Sequence, residues 1–327
     1  MIGYYAHHHG AGHAWRAATI AGYLAEPLTL LSTTPPADRD SFTDYVALAS
    51  DADQVGNACD PTALGSLHWA PLHDRGLQAR MDQIARWIHR TRPAAMVVDV
   101  SVEVANLARL LGVPVVVIAM PGDRSDAAHQ WGYRLASRIV APWPREIYDP
   151  SWLHPFADRV HYVGAFSRFT GRSATAATVP VRKGLVLVGA GGSSLEAVQV
   201  EALMARVPHI GWNVMGGSAG WRDDVWSALC EADLVVSHAG QNAVAEIAAA
   251  KRPAILVPET RPYSEQVHTA QALSRAGIAA MSPDWSGVAD RLLEGFLDTP
   301  DWSRWAPDGA GAATARTISE VAAGGSG

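Results

Sequence analysis

Short apolar runs alternate with amphipathic stretches along most of the chain, and this alternation constrains the fold more than any other feature. Runs such as Ile2–Ala6 and Val113–Ala119 are bounded by glycine, proline or charge and have the length of buried strands. The stretches between them show the spacing of helices that cover one face of a sheet. Repeats of this kind predict an α/β fold with doubly wound parallel sheets.

The pattern occurs twice, and a run rich in Ser, Thr, Ala and Gly separates the two halves. The strands predicted in the first half are Ile2–Ala6, Leu28–Ser32, Ala94–Val100, Val113–Ala119 and Arg138–Ala141. Those predicted in the second half are Gly184–Val188, His209–Val214, Leu234–Ser237, Ala254–Val257 and Ile278–Met281. We therefore predict two Rossmann-like domains, residues 1–166 and 183–327, joined by a linker over 167–182. The second domain includes a tail with a helix near Ala312–Val321.

Composition excludes several classes of protein. With 327 residues, of which 48% are hydrophobic, the chain can bury large cores and is neither disordered nor fibrous. The formal net charge of −6 gives no positive field for nucleic acid. The only cysteines, Cys59 and Cys230, are too far apart in sequence for a zinc motif or a disulfide scaffold. No leader and no membrane-spanning run is evident, which predicts a cytoplasmic protein.

A histidine- and glycine-rich turn, His7–His13, follows the first predicted strand. Glycines there allow a ligand to approach the backbone, and His13 would begin the next helix at the carboxyl edge of the sheet, where open α/β sheets bind ligands. The other histidines of the turn are interpreted either as polar loop residues or, less simply, as part of a metal site that has no visible third ligand.

A single carboxylate, Asp99, ends the predicted strand Ala94–Val100. Two interpretations remain open for it. It could accept a hydrogen bond from the imidazole of His13 and so orient that ring as a base. Alternatively, it could cap the helix that begins near Val102.

A glycine-rich turn follows the strand at Gly184–Val188 and could hold phosphate on backbone amides. The dinucleotide fingerprint fails because Ser194 stands where a third glycine or alanine is required. The nucleophile elbow of serine hydrolases fails because Leu195 stands where its last glycine is required. Both of these enzyme classes lose support.

The most specific signal is the run Ser237–Ile247, followed by Pro253–Pro258 and then Tyr263–Gln266. These segments resemble the GT-B nucleotide-sugar glycosyltransferases, in particular the branch that includes MurG and the plant and antibiotic UDP-glycosyltransferases. The resemblance implies a GT-B fold, in which two Rossmann-like domains face a central cleft. It is tightest between about Gly220 and Gly277.

The resemblance also implies roles for individual residues. Glu246, six residues after Gly240, would hold the ribose hydroxyls of the donor, and Glu265 and Gln266 would hold the donor sugar. The full donor-binding set that it implies is Gly191, Gly192, Ser193, Trp221, Arg222, Val225, His238, Gly240, Gln241, Asn242, Glu246, Glu265 and Gln266. The acceptor side would include His9, Gly10 and Gly12, with His13 as general base and Asp99 as its partner.

The reaction implied is transfer of a sugar from a UDP-sugar to an acceptor hydroxyl, with inversion and with no cofactor or metal. The acidic pairs Asp38/Asp40 and Asp51/Asp53 lie in irregular sequence and are interpreted as solvated loop acids. The acceptor would be lipid-linked or a small molecule. The alternatives are a UDP-sugar epimerase of the same fold and a non-catalytic module that binds nucleotide and a partner.

The stretch Leu77–Arg92 has an apolar stripe at helical spacing and several arginines. Such a helix could lie on the inner face of a membrane, which would make the protein peripheral. An ordinary core helix packed on the sheet has the same pattern.

Overall fold

The computed structural model describes residues 1–7, 12–51, 58–174, 177, 180–189, 193, 195–216, 220, 224–294 and 300–324. Within these residues the chain forms two parallel sheets, of seven and five strands. A search of the same residues finds no helix long and apolar enough to cross a bilayer.

The first sheet has the order β3-β2-β1-β4-β5-β6-β7. Its strands are β1 (Ile2–Ala6), β2 (Leu28–Ser32), β3 (Asp44–Ala47), β4 (Ala95–Asp99), β5 (Val115–Ile118), β6 (Arg138–Ala141) and β7 (Val160–Tyr162). The sequence did not predict β3 and β7, because both are short edge strands with partly exposed side chains. The strand order reverses between β1 and β4, and the crevice above such a reversal is where doubly wound sheets bind ligands.

The second sheet has the order β12-β11-β10-β8-β9. Its strands are β8 (Lys183–Leu187), β9 (Gly211–Met215), β10 (Leu234–Ser237), β11 (Ala254–Leu256) and β12 (Ala280–Met281). Here the order reverses between β8 and β10, which pair in parallel. Each domain therefore offers one crevice of the kind that binds ligands.

Helices cover the sheets on both faces. They are α1 (Gly12–Ala21), α2 (Arg75–Thr91), α3 (Val102–Leu110), α4 (Ala127–Leu135), α5 (Ala197–Arg206), α6 (Val225–Glu231), α7 (Gln241–Ala249), α8 (Glu265–Arg275), α9 (Val288–Leu293) and α10 (Ala310–Gly324). Side chains of Asp74, Ser101 and Asp126 accept backbone N–H groups in the first turns of α2, α3 and α4. Such caps explain where these helices begin.

Helix α2 is a core helix. Its residues Ile84, Trp87 and Ile88 are buried among β-strand side chains, so this end of the helix packs on the sheet as an ordinary core helix does. The prediction that Asp51 is a solvated loop acid is wrong. Asp51 is buried and lies 3.0 Å from the guanidinium of the fully buried Arg80. The buried arginine needs this partner, since an unpaired charge in the core is costly.

The last helix, α10, leaves the second half of the chain and packs against the first sheet. Ala315, Ile318 and Val321 are buried in one cluster with Ile2 and Val97. The tail that the sequence analysis grouped with residues 183–327 thus completes the core of the first domain. Sequence periodicity located the helix but could not show which sheet it covers.

Candidate active site

The first crevice holds His13 and Asp99 side by side. Asp99 ends β4, in register with Ala6 of β1, and His13 lies in the first turn of α1. Nδ1 of His13 is 3.0 Å from Oδ1 of Asp99. The capping interpretation of Asp99 is not supported, because Ser101 is the residue that caps α3.

Asp99 is fully buried and has two further partners. The hydroxyl of Tyr4 donates to Oδ2 at 2.9 Å, and Nη1 of Arg16 donates to Oδ1 at 2.8 Å. Burial alone would raise the pKa of Asp99, but Arg16, His13 and Tyr4 together lower it to about 2. The same burial and the Asp99 charge raise the pKa of Tyr4. Asp99 is therefore a carboxylate at neutral pH.

The contact with Asp99 determines what His13 can do. A carboxylate only accepts hydrogen bonds, so Nδ1 of a neutral His13 carries the proton and Nε2 has a free lone pair. The His13 side chain is 13% exposed, which leaves it accessible from the crevice. An imidazole oriented in this way can take a proton from a hydroxyl group.

The second crevice holds Ser193 and His238. Nδ1 of His238 donates to the carbonyl of Val257 at 2.8 Å, so Nε2 accepts from the hydroxyl of Ser193 at 2.7 Å. The oxygen of Ser193 in turn accepts the backbone N–H of Leu195 at 2.9 Å. The buried histidine thus holds the side chain of Ser193.

Helix α7 begins above the same crevice. Its N-cap is Gly240, which has no side chain to cap the amides of the first turn. Uncapped amides at the positive end of a helix dipole favour an anion such as a phosphate. Gln241 and Asn242 are the first residues of this helix, and both lie near the first domain.

Helix α1 and the linker both contact helix α7. Nη2 of Arg16 donates to Oε1 of Gln241 at 2.6 Å. A methyl group on Gly12 would overlap the side-chain amide of Asn242, so α1 and α7 are in close contact and a larger residue at Gly12 would have to displace that amide. Nε of Arg168 donates to Oε1 of Glu246 at 2.9 Å.

The predicted sugar-binding residues sit at the start of α8. Oε1 of Gln266 accepts the backbone N–H of Glu259 at 3.0 Å, and Oε2 of Glu265 lies 3.3 Å from the guanidinium of Arg124. Burial raises the pKa of Glu246 despite its pairing with Arg168. All of these side chains have protein partners in this structure.

A cavity of about 350 Å³ opens beside the first crevice. Its wall is mainly apolar and aromatic, with Trp69 and Tyr133 from the first domain and Tyr263 from the second. Val100, which directly follows Asp99, also lines it. Burial and the neighbouring charge of His68 lower the pKa of His129, another wall residue, to about 4.

Several predicted site residues fall outside the described part of the chain, namely His9, Gly10, Gly191, Gly192, Trp221 and Arg222. Val225 is described, but its side chain is fully buried in the core, so only its backbone is available to a nucleotide base. Sequence reasoning missed Tyr4, Arg16 and Arg168. Arg16 had a signal, since it lies one helical turn after His13 on the same face.

Part of the chain is similar in sequence to known glycosyltransferases. Residues 214–299 match the glycosyltransferase family 28 C-terminal domain. Over 104 residues the chain is 38% identical to a UDP-N-acetylglucosamine–N-acetylmuramyl-(pentapeptide) pyrophosphoryl-undecaprenol N-acetylglucosamine transferase of Corynebacterium glutamicum (strain R). The aligned segment is 31% of this chain and 29% of that relative, so the likeness covers less than a third of either protein.

Solved structures extend the likeness to the whole fold. MurG of Acinetobacter baumannii aligns with a TM-score of 0.66 at 16% identity, over 98% of this chain and 99% of that one. A UDP-glucosyltransferase from Polygonum tinctorium aligns with a TM-score of 0.67 at 16% identity, over 100% and 99%. The chain therefore has the GT-B fold and resembles the MurG and UDP-glycosyltransferase branch, as the sequence motifs predicted.

Proposed function

We propose that the chain is a glycosyltransferase that moves a sugar from a UDP-sugar to an acceptor hydroxyl, with inversion and without a metal at the diphosphate. The observation that carries the proposal is that Arg16 bridges the first domain and helix α7. One guanidinium contacts both Asp99 and Gln241, so the base candidate and the uncapped start of α7 face the same cleft. A base for the acceptor and an anion site for the leaving group are what such a transfer requires.

In the proposed reaction Nε2 of His13 removes the proton of the acceptor hydroxyl. The oxygen attacks the anomeric carbon from the side opposite to the diphosphate, and the bond between that carbon and the phosphate oxygen breaks. The electron pair leaves with UDP, whose charge is stabilised by the amides at the start of α7. Asp99 stabilises the imidazolium that forms, and a single displacement inverts the anomeric configuration.

The donor would bind along α7 and α8. Glu246 would accept hydrogen bonds from the ribose hydroxyls, and Glu265 and Gln266 would hold the sugar, as the resemblance implies. Because Arg168 occupies Glu246 in this structure, the nucleotide would have to displace that guanidinium. UDP binding should therefore move the side chain of Arg168.

The acceptor would occupy the cavity next to Asp99. An apolar, aromatic wall and a volume of about 350 Å³ favour a small or planar apolar molecule over a bulky polar one. The Corynebacterium relative is named for a pyrophosphoryl-undecaprenol acceptor, so a lipid-linked acceptor is the alternative.

Calorimetric titration with UDP, GDP, TDP and NAD in the presence of EDTA tests the donor site. Selective binding of UDP supports the proposal, and failure of every nucleotide to bind the folded protein contradicts it. Incubation with UDP-sugars then separates the enzyme classes. Release of UDP that depends on an acceptor indicates transfer, an epimerised UDP-sugar without acceptor indicates an epimerase, and binding without turnover indicates a non-catalytic module.

A further inference from the structure

A cluster of metal-ligating side chains lies in the wall of the cavity, apart from every residue predicted to bind the donor. His68, Asp126 and His129 each offer one ligand atom, and these atoms all lie within 4.8 Å of one another. Nε2 of His68 is 3.0 Å from Oδ1 of Asp126, and Nδ1 of His129 is 2.5 Å from Oδ2. His129 lies three residues after Asp126, whereas His68 reaches the same carboxylate from 58 residues earlier in the sequence.

Helix capping explains only part of this arrangement. Asp126 is the N-cap of α4, and its Oδ1 accepts the backbone N–H of His129 at 3.1 Å. A cap needs one carboxylate oxygen and no histidine ring. The two imidazoles, whose centroids are 4.1 Å apart, are not required by the cap and need another explanation.

The surroundings hold the cluster in place. Glu103 accepts the backbone N–H groups of His68 and Trp69 at 2.7 and 3.0 Å, which anchors the loop that carries His68. The ring of Tyr263, from the second domain, packs edge-on against His129 at 4.7 Å. Fixed ligands supported by a second layer of contacts are typical of metal sites.

We propose that His68, Asp126 and His129 bind a divalent transition-metal ion at the wall of this cavity, with zinc as the ion that the ligands fit best. Two imidazole nitrogens and one carboxylate oxygen form the ligand set of zinc sites that keep an open position. His68 and His129 both line the cavity, so the ion would adjoin any molecule bound there. The proposal does not depend on the proposed glycosyl transfer.

Arg124 is the neighbouring cation that opposes metal binding. Its Nη1 lies 3.4 Å from Nε2 of His129, and its charge is compensated by Glu265. Because arginine only donates, this contact favours a proton on Nδ1 of His129, and a metal at Nδ1 must displace that proton to Nε2. Loss of Arg124 should therefore strengthen zinc binding, whereas loss of a ligand should weaken it.

The test is competition for zinc against a chromophoric indicator at neutral pH. His8→Ala/His9→Ala serves as the parent protein, because the N-terminal histidines would otherwise bind zinc themselves. We expect one zinc per chain in this parent. Because loss of an outer-shell partner alone costs about 10- to 100-fold in metal affinity, Asp126→Asn or His68→Ala should weaken binding by at least that factor.

Two further variants separate loss of a zinc ligand from loss of folding and from loss of any surface histidine. Asparagine caps a helix as well as aspartate does, so Asp126→Asn should fold with its first turn of α4 intact even if His68→Ala does not. His154→Ala removes an exposed histidine that is 3.3 Å from Asp149 and should leave zinc affinity unchanged. Absence of zinc binding in the parent, or equal affinity in the parent and Asp126→Asn, would overturn the proposal.

Discussion

Oδ1 of Asp99 has two charged or polar neighbours, Nη1 of Arg16, which donates to it at 2.8 Å, and Nδ1 of His13 at 3.0 Å. The arginine keeps the buried carboxylate ionised, and the ionised carboxylate orients the imidazole. Arg16 is therefore a positioning residue for the proposed base. His13, in contrast, would contact the acceptor. We therefore expect replacement of His13 to reduce turnover and replacement of Arg16 to reduce stability.

Replacement of His13 by alanine should remove turnover without removing the donor site. A positioned base contributes about 10²- to 10⁴-fold to rate, so kcat should fall by that factor. UDP affinity measured by calorimetry should remain that of the parent, because none of the predicted donor contacts involves this ring. Transfer at the parent rate would show that another group removes the proton.

Replacement of Arg16 by methionine should destabilise the fold by about 3–5 kcal/mol, since it leaves a buried carboxylate without its cation. Asp99 has a lowered pKa, so its stabilising effect is present above the usual carboxyl pKa and is lost as pH falls toward about 2. The deficit of Arg16→Met should therefore be full at neutral pH and shrink in acid. Chemical denaturation over a pH series measures it.

Arg86→Met is the control for that series. Arg86 also pairs with a carboxylate, at 2.9 Å from Asp82, but its side chain is 77% exposed. Exposed pairs contribute about 0–1 kcal/mol. An equal loss of stability in the two variants, or a deficit of Arg16→Met that does not change with pH, would contradict the assigned role of the Asp99 charge.

At the scale of elements, helix α7 carries both the proposed anion site and a buried acid. Burial raises the pKa of Glu246, so ionisation of this side chain opposes folding as pH rises through its folded-state pKa. A carboxylate kept in a place that disfavours its charge suggests a ligand that needs the charge. In the proposed complex, the ribose hydroxyls of the donor would donate hydrogen bonds to the charged carboxylate.

Glu246→Gln should therefore raise stability while weakening UDP binding. The gain in the free energy of unfolding over the parent should be largest at neutral pH and vanish at a pH where Glu246 is protonated in both states. Loss of hydrogen bonds to a charged acceptor should weaken UDP by about 10- to 100-fold. A variant that binds UDP like the parent would show that Glu246 does not hold the nucleotide.

Elements whose signals are local could be predicted from sequence, whereas contacts between elements could not. The predicted strand Ala94–Val100 and the turn after the first strand placed Asp99 and His13 at one sheet edge, because neighbouring parallel strands end together. No pattern in the linker indicated that Arg168 reaches Glu246. The cluster around Asp126 was also invisible, because its histidines are 61 residues apart and meet only through the packing of a loop on α4.

At the scale of the whole molecule, the last helix of the chain, α10, packs as part of the first domain. The helix packs on α1 and on strands of the first sheet, so the first core contains residues from both ends of the chain. The first half of the chain therefore does not contain all of the side chains that its own core requires. We infer that the halves unfold together.

Ile318→Ala tests this coupling. Ile318 is fully buried beside Ile2 and Val97, and removal of such a side chain costs about 2–5 kcal/mol. If the halves unfold together, the variant should show a single unfolding transition at a lower denaturant concentration than the parent. Saturating UDP should then move this transition back to higher denaturant concentration, even though the nucleotide would bind the second domain and the substitution is in the first. Leu293→Ala, at a side chain that is 64% exposed, should change stability by less than about 0.5 kcal/mol. Two separate transitions, with only one responding to UDP, would mean that α10 belongs to the first domain without linking the two.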